Sequence, residues 1–247
     1  MDLPTQLQSA LRQQTGVPLP SLSYLRTIIP QRTPPPPLAS LIATARARLL
    51  AADLTTPNLL DPSYTSSATL PTHRINNPEI DTSSLENDII LQVLDIENLS
   101  RPRWEQAEEL EAIERGEMTR GRQVIRIPLP GDQDDDSDSD SPPAPQNPNP
   151  EQQAGKNTTH RLVLQDCAGA KVFAIELKRI DRFGIGKTNI GEKVLVRKET
   201  RIARGVLLLE PERCLPLGGK VEVWHRAWVQ GRLARLKEAV GGEEQER

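Results

Sequence analysis

The sequence predicts an α+β fold, with a three-helix N-terminal unit packed on a small barrel of five strands. Three observations carry that expectation. The first fifty residues place apolar side chains at helical spacing, whereas residues 160–217 form short β-rich runs bounded by Gly and Pro. The densest apolar block, Gly205-Val206-Leu207-Leu208-Leu209, is closed by Glu210-Pro211-Glu212 and followed by Cys214-Leu215-Pro216-Leu217. Most of the remaining chain is polar, proline-rich or charged, so the core must be organised around residues 193–221.

The helices come first. Leu3, Leu7, Ala10 and Leu11 share one helical face, and Gly16 with Pro18 ends that run. Ser21 has the side chain of an N-cap for a second helix bearing Leu22, Leu25, Ile28 and Ile29, stopped by Pro30. Pro34 to Pro37 form a rigid spacer. A third helix then carries Leu38, Leu41, Ile42, Ala45, Leu49 and Leu50. Three short amphipathic helices bury their stripes on one another or on a neighbour, which predicts a helical unit over residues 1–55. Residues 56–82 have turn composition and read as a connector.

The barrel is predicted over residues 83–220. Its first strand is Ile89 to Ile96, with Ile89, Leu91 and Val93 on one face and Ile90, Leu94 and Ile96 on the other. Residues 160–165 and 171–177 pair as a hairpin about the turn Asp166-Cys167-Ala168-Gly169-Ala170. Further strands are expected near 193–198 and 205–210, with a short one near 213–217. Five main strands with no material for a second sheet fit a barrel of the oligonucleotide/oligosaccharide-binding type, the OB-fold. Val206, Leu207, Leu208 and Leu209 are expected inside it, with Gly218 and Gly219 turning the chain into a C-terminal helix over residues 221–242.

Residues 101–159 interrupt the barrel after its first strand. A loop of that length is functional or disordered far more often than it is a plain connection. Trp104, Ala107, Leu110, Ala112 and Ile113 follow a helical pattern, Gly116 can end it, and residues 123–127 read as extended. Residues 131–159 carry Asp132, Asp134, Asp135, Asp136, Asp138 and Asp140 among serines, then a proline-rich stretch, and are expected to be disordered. The net charge is about −6 over residues 101–159 and about +6 over residues 160–247.

Composition narrows the function classes. With 36% hydrophobic residues, 3% aromatic and 22 prolines, the full length cannot form one well-packed globule. No run of 18 apolar residues argues for a membrane span. The N-terminus lacks the pattern of a signal peptide, and Cys167 and Cys214 stand apart, so a reduced cytosolic or nuclear compartment is expected. The three histidines, His73, His160 and His225, lack metal-ligand spacing. Gly186-Lys187-Thr188 ends like a phosphate-binding loop, but Asp181 stands where its first glycine belongs. No Gly-x-Ser-x-Gly elbow is present. The reading is therefore a non-enzyme with no cofactor, no metal and no membrane partner.

Nucleic acid is the rival partner. The barrel carries many cations, Lys171, Lys193 and Arg201 among them, and the candidate DNA-contacting residues are Lys178, Arg179, Arg182 and Lys187. Single-strand binding also wants aromatic platforms. Only Phe173 and Phe183 lie within residues 160–220, and Phe173 is expected to be buried. The alternative function is thus an OB-fold protein that binds single-stranded or branched DNA directly.

A resemblance sharpens the leading function. Lys193-Val-Leu-Val-Arg-Lys198, Arg204-Gly-Val-Leu-Leu-Leu-Glu-Pro-Glu212 and Leu217-Gly-Gly-Lys-Val221 resemble the RecQ-mediated genome instability protein 1 family. The likeness extends to Ile90-Leu-Gln-Val93 and Leu162-Val-Leu-Gln-Asp166. Trp104-Glu-Gln-Ala-Glu-Glu109 and Arg115 to Arg122 look like the fungal branch, which has a single OB-fold. The resemblance implies a nuclear, non-catalytic accessory subunit in genome maintenance. Such a subunit binds a type IA topoisomerase III and a RecQ-family helicase, with DNA a candidate contact inside the complex. The insert, here residues 101–159, then biases the topoisomerase toward decatenation and double Holliday junction dissolution. Trp104, Leu110, Ile113, Arg120, Arg122, Ile125 and Ile127 are the expected contacts, because aromatics and arginines on loops make good interface anchors.

Overall fold

The computed structural model describes residues 2–30, 34–77, 79–116 and 158–245. The chain folds as two compact units. One comprises residues 1–100 with 158–231, and the other residues 101–157 with 232–247.

In the first unit, helices α1 (Leu3–Arg12), α2 (Leu22–Ile28) and α3 (Leu38–Ala51) pack through Leu7, Leu11, Leu25, Leu41, Ala45 and Leu49. Ser21 caps α2, its Oγ accepting the Tyr24 N–H at 3.1 Å. The stretch read as a connector holds two short helices, α4 (Pro62–Ser67) and α5 (Thr72–Ile75). Asp61 caps the first of them by accepting the Ser63 N–H.

The strands are β1 (Thr82–Ser84), β2 (Ile89–Asn98), β3 (His160–Gln165), β4 (Lys171–Glu176), β5 (Lys193–Val196), β6 (Arg201–Ala203), β7 (Val206–Leu209) and β8 (Cys214–Gly218). They form one sheet of eight strands in the order β1-β6-β7-β4-β3-β2-β5-β8, not the five expected. The difference has local causes. The expected strand at 193–198 stops at Val196, and Glu199 (φ 64) turns the chain before it resumes as β6. Strand β1, Thr-Ser-Ser, has no apolar residue to reveal it, and β8 pairs only with β5. Strands β4 and β7 run parallel, while every other pair is antiparallel.

This sheet must curl. Strands β5 and β6 lie five positions apart in the order, roughly 24 Å on a flat sheet. Val196 and Arg201 are five residues apart in sequence, a reach of about 18 Å at most. The Leu85 N–H donates to Thr200 O at 3.0 Å and the Glu199 N–H to Leu85 O at 2.7 Å, which carries the β1–β6 pairing back into the turn that leaves β5.

The interior holds Leu91, Val93, Leu162, Leu164, Ala174, Phe183, Val194, Ile202, Leu207 and Leu209. Ile96 joins them, against the expected face. A bulge between Val93 and Asp95 adds a residue to β2 and flips the alternation beyond it. In β7 only Leu207 and Leu209 are sealed, while Val206 and Leu208 are half-buried, so the expectation of four interior side chains is halved by the two-residue strand period. Leu207→Ala should therefore cost about 2–5 kcal/mol, and Leu208→Ala about 1 kcal/mol or less, as read from urea midpoints.

Gly218 (φ 87) and Gly219 (φ 90) turn the chain out of β8. The single C-terminal helix expected over 221–242 is two helices, α7 (Glu222–Gln230) and α8 (Arg232–Gln245), parted at Gly231. Trp224 and Trp228 of α7 pack on the barrel core, and Trp228 Nε1 donates to Asp95 Oδ1 at 2.6 Å.

Candidate functional site

The insert leaves the barrel after β2 and returns at β3, and hydrogen bonds hold both ends. The Leu99 N–H donates to Thr159 O at 2.9 Å, and the Thr159 N–H to Ser100 Oγ at 2.9 Å. Arg179 Nη1 donates to Thr158 O at 2.8 Å. Next to it, Glu176 points inward from β4 and is fully engaged. It accepts the His160 N–H at 2.8 Å and the Ile180 N–H at 2.9 Å, and pairs with His160 Nδ1 at 2.7 Å. A carboxylate with that many partners tolerates burial.

The second unit carries helix α6 (Arg103–Glu114), which packs with α8. Gln106 and Ala107 are buried there, and Arg232 Nη2 reaches Gln106 Oε1 at 3.4 Å. Lys237 pairs with Glu111, and Arg101 pairs with Glu105 at 2.8 Å and Glu109 at 2.7 Å. Trp104 is 54% exposed, and Leu110 and Ile113 are half-buried. Arg120, Arg122, Ile125 and Ile127 lie outside the described residues, as does the acidic run. The partnership of α6 with α8 has no signal in local sequence, because the two helices are over a hundred residues apart.

The candidate DNA-contacting cations divide. Lys178 lies near Glu210 and Glu212 at 3.6 and 3.5 Å, and Arg179 is spent on the root of the insert. Arg182 and Lys187 are exposed in the connection between β4 and β5. The Gly184–Thr188 turn is closed by its own bonds, with the Gly184 N–H donating to Thr188 Oγ1 at 3.1 Å and the Thr188 N–H to Gly184 O at 2.9 Å.

The expectation that Phe173 is buried is reversed. Phe183 is wholly buried, whereas Phe173 is 48% exposed. The inward position of Glu176 sets the alternation of β4, so Val172 and Ala174 point in and Phe173 points out. The Arg161 guanidinium lies 5.2 Å from the centre of its ring. Lys193, counted above among the barrel's cations, is fully buried. Its Nζ donates to Ala52 O and Gly191 O, each at 2.6 Å, and burial pushes its ammonium down to about 8. Burial also pushes the Cys167 and Cys214 thiols up, to about 11 and about 12, which suits packing rather than nucleophilic chemistry.

Comparison with known proteins places this arrangement. A family model described as "RMI1, N-terminal OB-fold domain" matches residues 70–232, from before β1 through α7. The chain belongs to the RMI1 family. A second family model, "RMI1, N-terminal helical domain", matches residues 4–57, which hold α1 to α3. The chain is also 28% identical over 151 residues to RecQ-mediated genome instability protein 1 of Schizosaccharomyces pombe, an alignment covering 60% of this chain. It spans 63% of that relative's length. Membership of the RMI1 family supports a role in genome maintenance. The matched range of that OB-fold model includes, in sequence, the residues of α6.

Proposed function

We propose that this RMI1-family chain is a non-catalytic, nuclear accessory subunit of a RecQ helicase–topoisomerase III complex. It binds the topoisomerase and uses the insert between β2 and β3 to promote decatenation and double Holliday junction dissolution. The observation that carries the reading is helix α6, which the insert presents with Trp104 more than half exposed. A large aromatic in that position is an interface anchor. The barrel's role is to hold the two ends of the insert, through Arg179, His160 and Glu176.

Paired deletions in the full-length chain test this. Removing residues 131–155 should leave topoisomerase III pull-down and decatenation largely intact. Removing residues 102–127 should reduce decatenation severalfold while the barrel's thermal transition persists. Equal effects of the two deletions would refute the division of the insert, and a full-length chain that captures no topoisomerase III would refute the function.

A second reading, direct binding of single-stranded or branched DNA, is favoured by one observation, the exposed Phe173 beside Arg161. Salt separates the two readings, because affinity carried by phosphate contacts falls steeply between 50 and 200 mM salt.

A further inference from the structure

The four prolines that precede α3 exceed what a helix start requires. One of them serves the helix: the Pro37 carbonyl accepts the Ser40 and Leu41 N–H groups at 3.0 and 3.2 Å. Pro34, Pro35 and Pro36 add nothing to α3. Their conformation is nonetheless fixed by the sequence. Each ring holds φ near about −65°, and each following proline drives the residue before it to an extended ψ. Pro37 lies at φ −55 and ψ 142, close to a polyproline II helix.

Such a helix repeats every three residues and so has three edges. Pro34 and Pro37 share the first edge, Pro35 and Leu38 share the second, and Pro36 stands alone on the third. Exposure follows that period. Pro34, Pro35 and Pro37 are exposed, as is Leu38 at 37%, while Pro36 is half-buried. The segment therefore rests on one edge and presents the other two.

The polar groups and the charge say what kind of partner fits. Among the described residues, the carbonyls of Pro34, Pro35 and Pro36 accept no hydrogen bond, and proline has no N–H to offer. A partner must bring donors rather than acceptors. Residues 34–45 carry no charged side chain, so the partner's contact surface needs no charge to match. That excludes a phosphate chain, which requires cations. A groove walled by aromatic side chains meets both demands. Its ring faces pack on the proline rings, and its Trp N–H and Tyr O–H groups donate to the free carbonyls. Because the prolines are already held in the bound shape, little conformational entropy is lost on docking.

We propose that Pro34–Leu38 is a docking site for a protein module that reads polyproline II helices in a two-pocket aromatic groove. Pro34 with Pro35 fills one pocket and Pro37 with Leu38 fills the other. Pro36 is the intervening residue that faces away from the groove, which is why its burial against this chain leaves the site open. The site belongs to the helical unit and uses no residue of the insert, so it stands apart from the topoisomerase contact proposed above.

The test titrates the full-length chain into fluorescently labelled SH3 and WW domains, taking the complete set from the source organism and reading anisotropy. At least one domain should bind saturably. Its affinity should change by less than about twofold between 50 and 200 mM salt, since no phosphate-type ion pairs form. Pro34→Ala combined with Pro37→Ala should weaken that binding about tenfold or more, as for loss of central anchors. Pro36→Ala should weaken it by less than about threefold. Pro35→Ala combined with Leu38→Ser strikes the second edge and gives an independent reading should the first pair disturb α3 by circular dichroism. Absence of saturable binding by every domain overturns the proposal. So does a bound domain whose affinity both edge variants leave unchanged, or one that Pro36→Ala weakens as much as they do. None of these outcomes bears on capture of topoisomerase III, which the insert deletions test separately.

Discussion

Gly219→Ala is expected to cost about 4–5 kcal/mol, whereas its neighbour Gly218→Ala should cost only about 1–3 kcal/mol. Both glycines have nearly the same positive φ, 90° and 87°, so an alanine at either site carries a similar backbone strain. Their surroundings differ. A Cβ on Gly218 would meet nothing within 4 Å, but one on Gly219 would lie 2.2 Å from Leu50 O and 2.7 Å from Leu50 C. Those are backbone atoms of the last turn of α3 and cannot rotate aside as a flexible side chain would. Relief requires α3 to move away from the turn between β8 and α7, which opens the seam where the helices meet the barrel. Ile90 and Leu195 of the barrel belong to the same apolar cluster as Leu7, Leu25 and Leu49 of the helices, so the opening would expose core. Thermal midpoints separate the two variants, since each kcal/mol moves the midpoint of a protein this size by about 2–4 °C. Equal losses in the two variants would mean that backbone strain alone matters and that the close approach is relieved cheaply.

Much of this architecture was legible because local chemistry and tertiary demand agree. The Ser21 cap, the helical stripe of Leu41, Ala45 and Leu49, and the hairpin about Asp166 all form as their residues suggest. In that hairpin the Asp166 carboxylate accepts the N–H groups of Ala168 and Ala170, a local device that sequence reveals. Legibility ends where a distant partner decides the outcome. Nothing near Ile96 announces the bulge that turns it inward. Phe173 looked like core because its neighbours Val172 and Ala174 are apolar, yet the buried Glu176, held by His160 and Ile180, fixes the phase of the strand. Strand β1 forms because β6 offers it backbone partners, not because Thr-Ser-Ser favours extension. The candidate site divides in the same way. The helical pattern about Trp104 was readable, but its companion α8 was not, because long-range pairing leaves no period in either segment.

Lys193 supplies the second large effect, a pH dependence of stability with a defined window. The side chain is fully buried between the end of α3 and β5, and it donates to the Ala52 and Gly191 carbonyls. Loss of hydration lowers the folded-state value to about 8 from an ordinary 10.5, and nearby Asp53 offsets only part of that. Asp53 itself is held below its usual range. Its burial acts the other way but is outweighed by hydrogen bonds from Gln92 and Thr55 and by the Lys193 charge. The direction for the lysine follows from proton counting. Below pH 8 both folded and unfolded chains carry the proton, and folding bears the whole cost of burying the charge, about 3 kcal/mol. Between pH 8 and 10.5 the unfolded chain binds more protons than the folded one, so this group makes stability rise with pH. The buried thiols work in the opposite sense above pH 9, because Cys167 and Cys214 ionise more readily once unfolded. The net gain should therefore appear from pH 8 to 9 and turn into a loss beyond, where two thiols outweigh one lysine. Lys193→Met removes the titrating group while keeping its length. That variant should lose the rise between pH 8 and 9. At pH 7 it exchanges relief of the buried charge for two carbonyls without their donor, a cost of about 1–3 kcal/mol each. Urea midpoints at pH 7, 8 and 9 measure both effects, and an identical slope in the two proteins would show that Lys193 keeps an ordinary titration despite its burial.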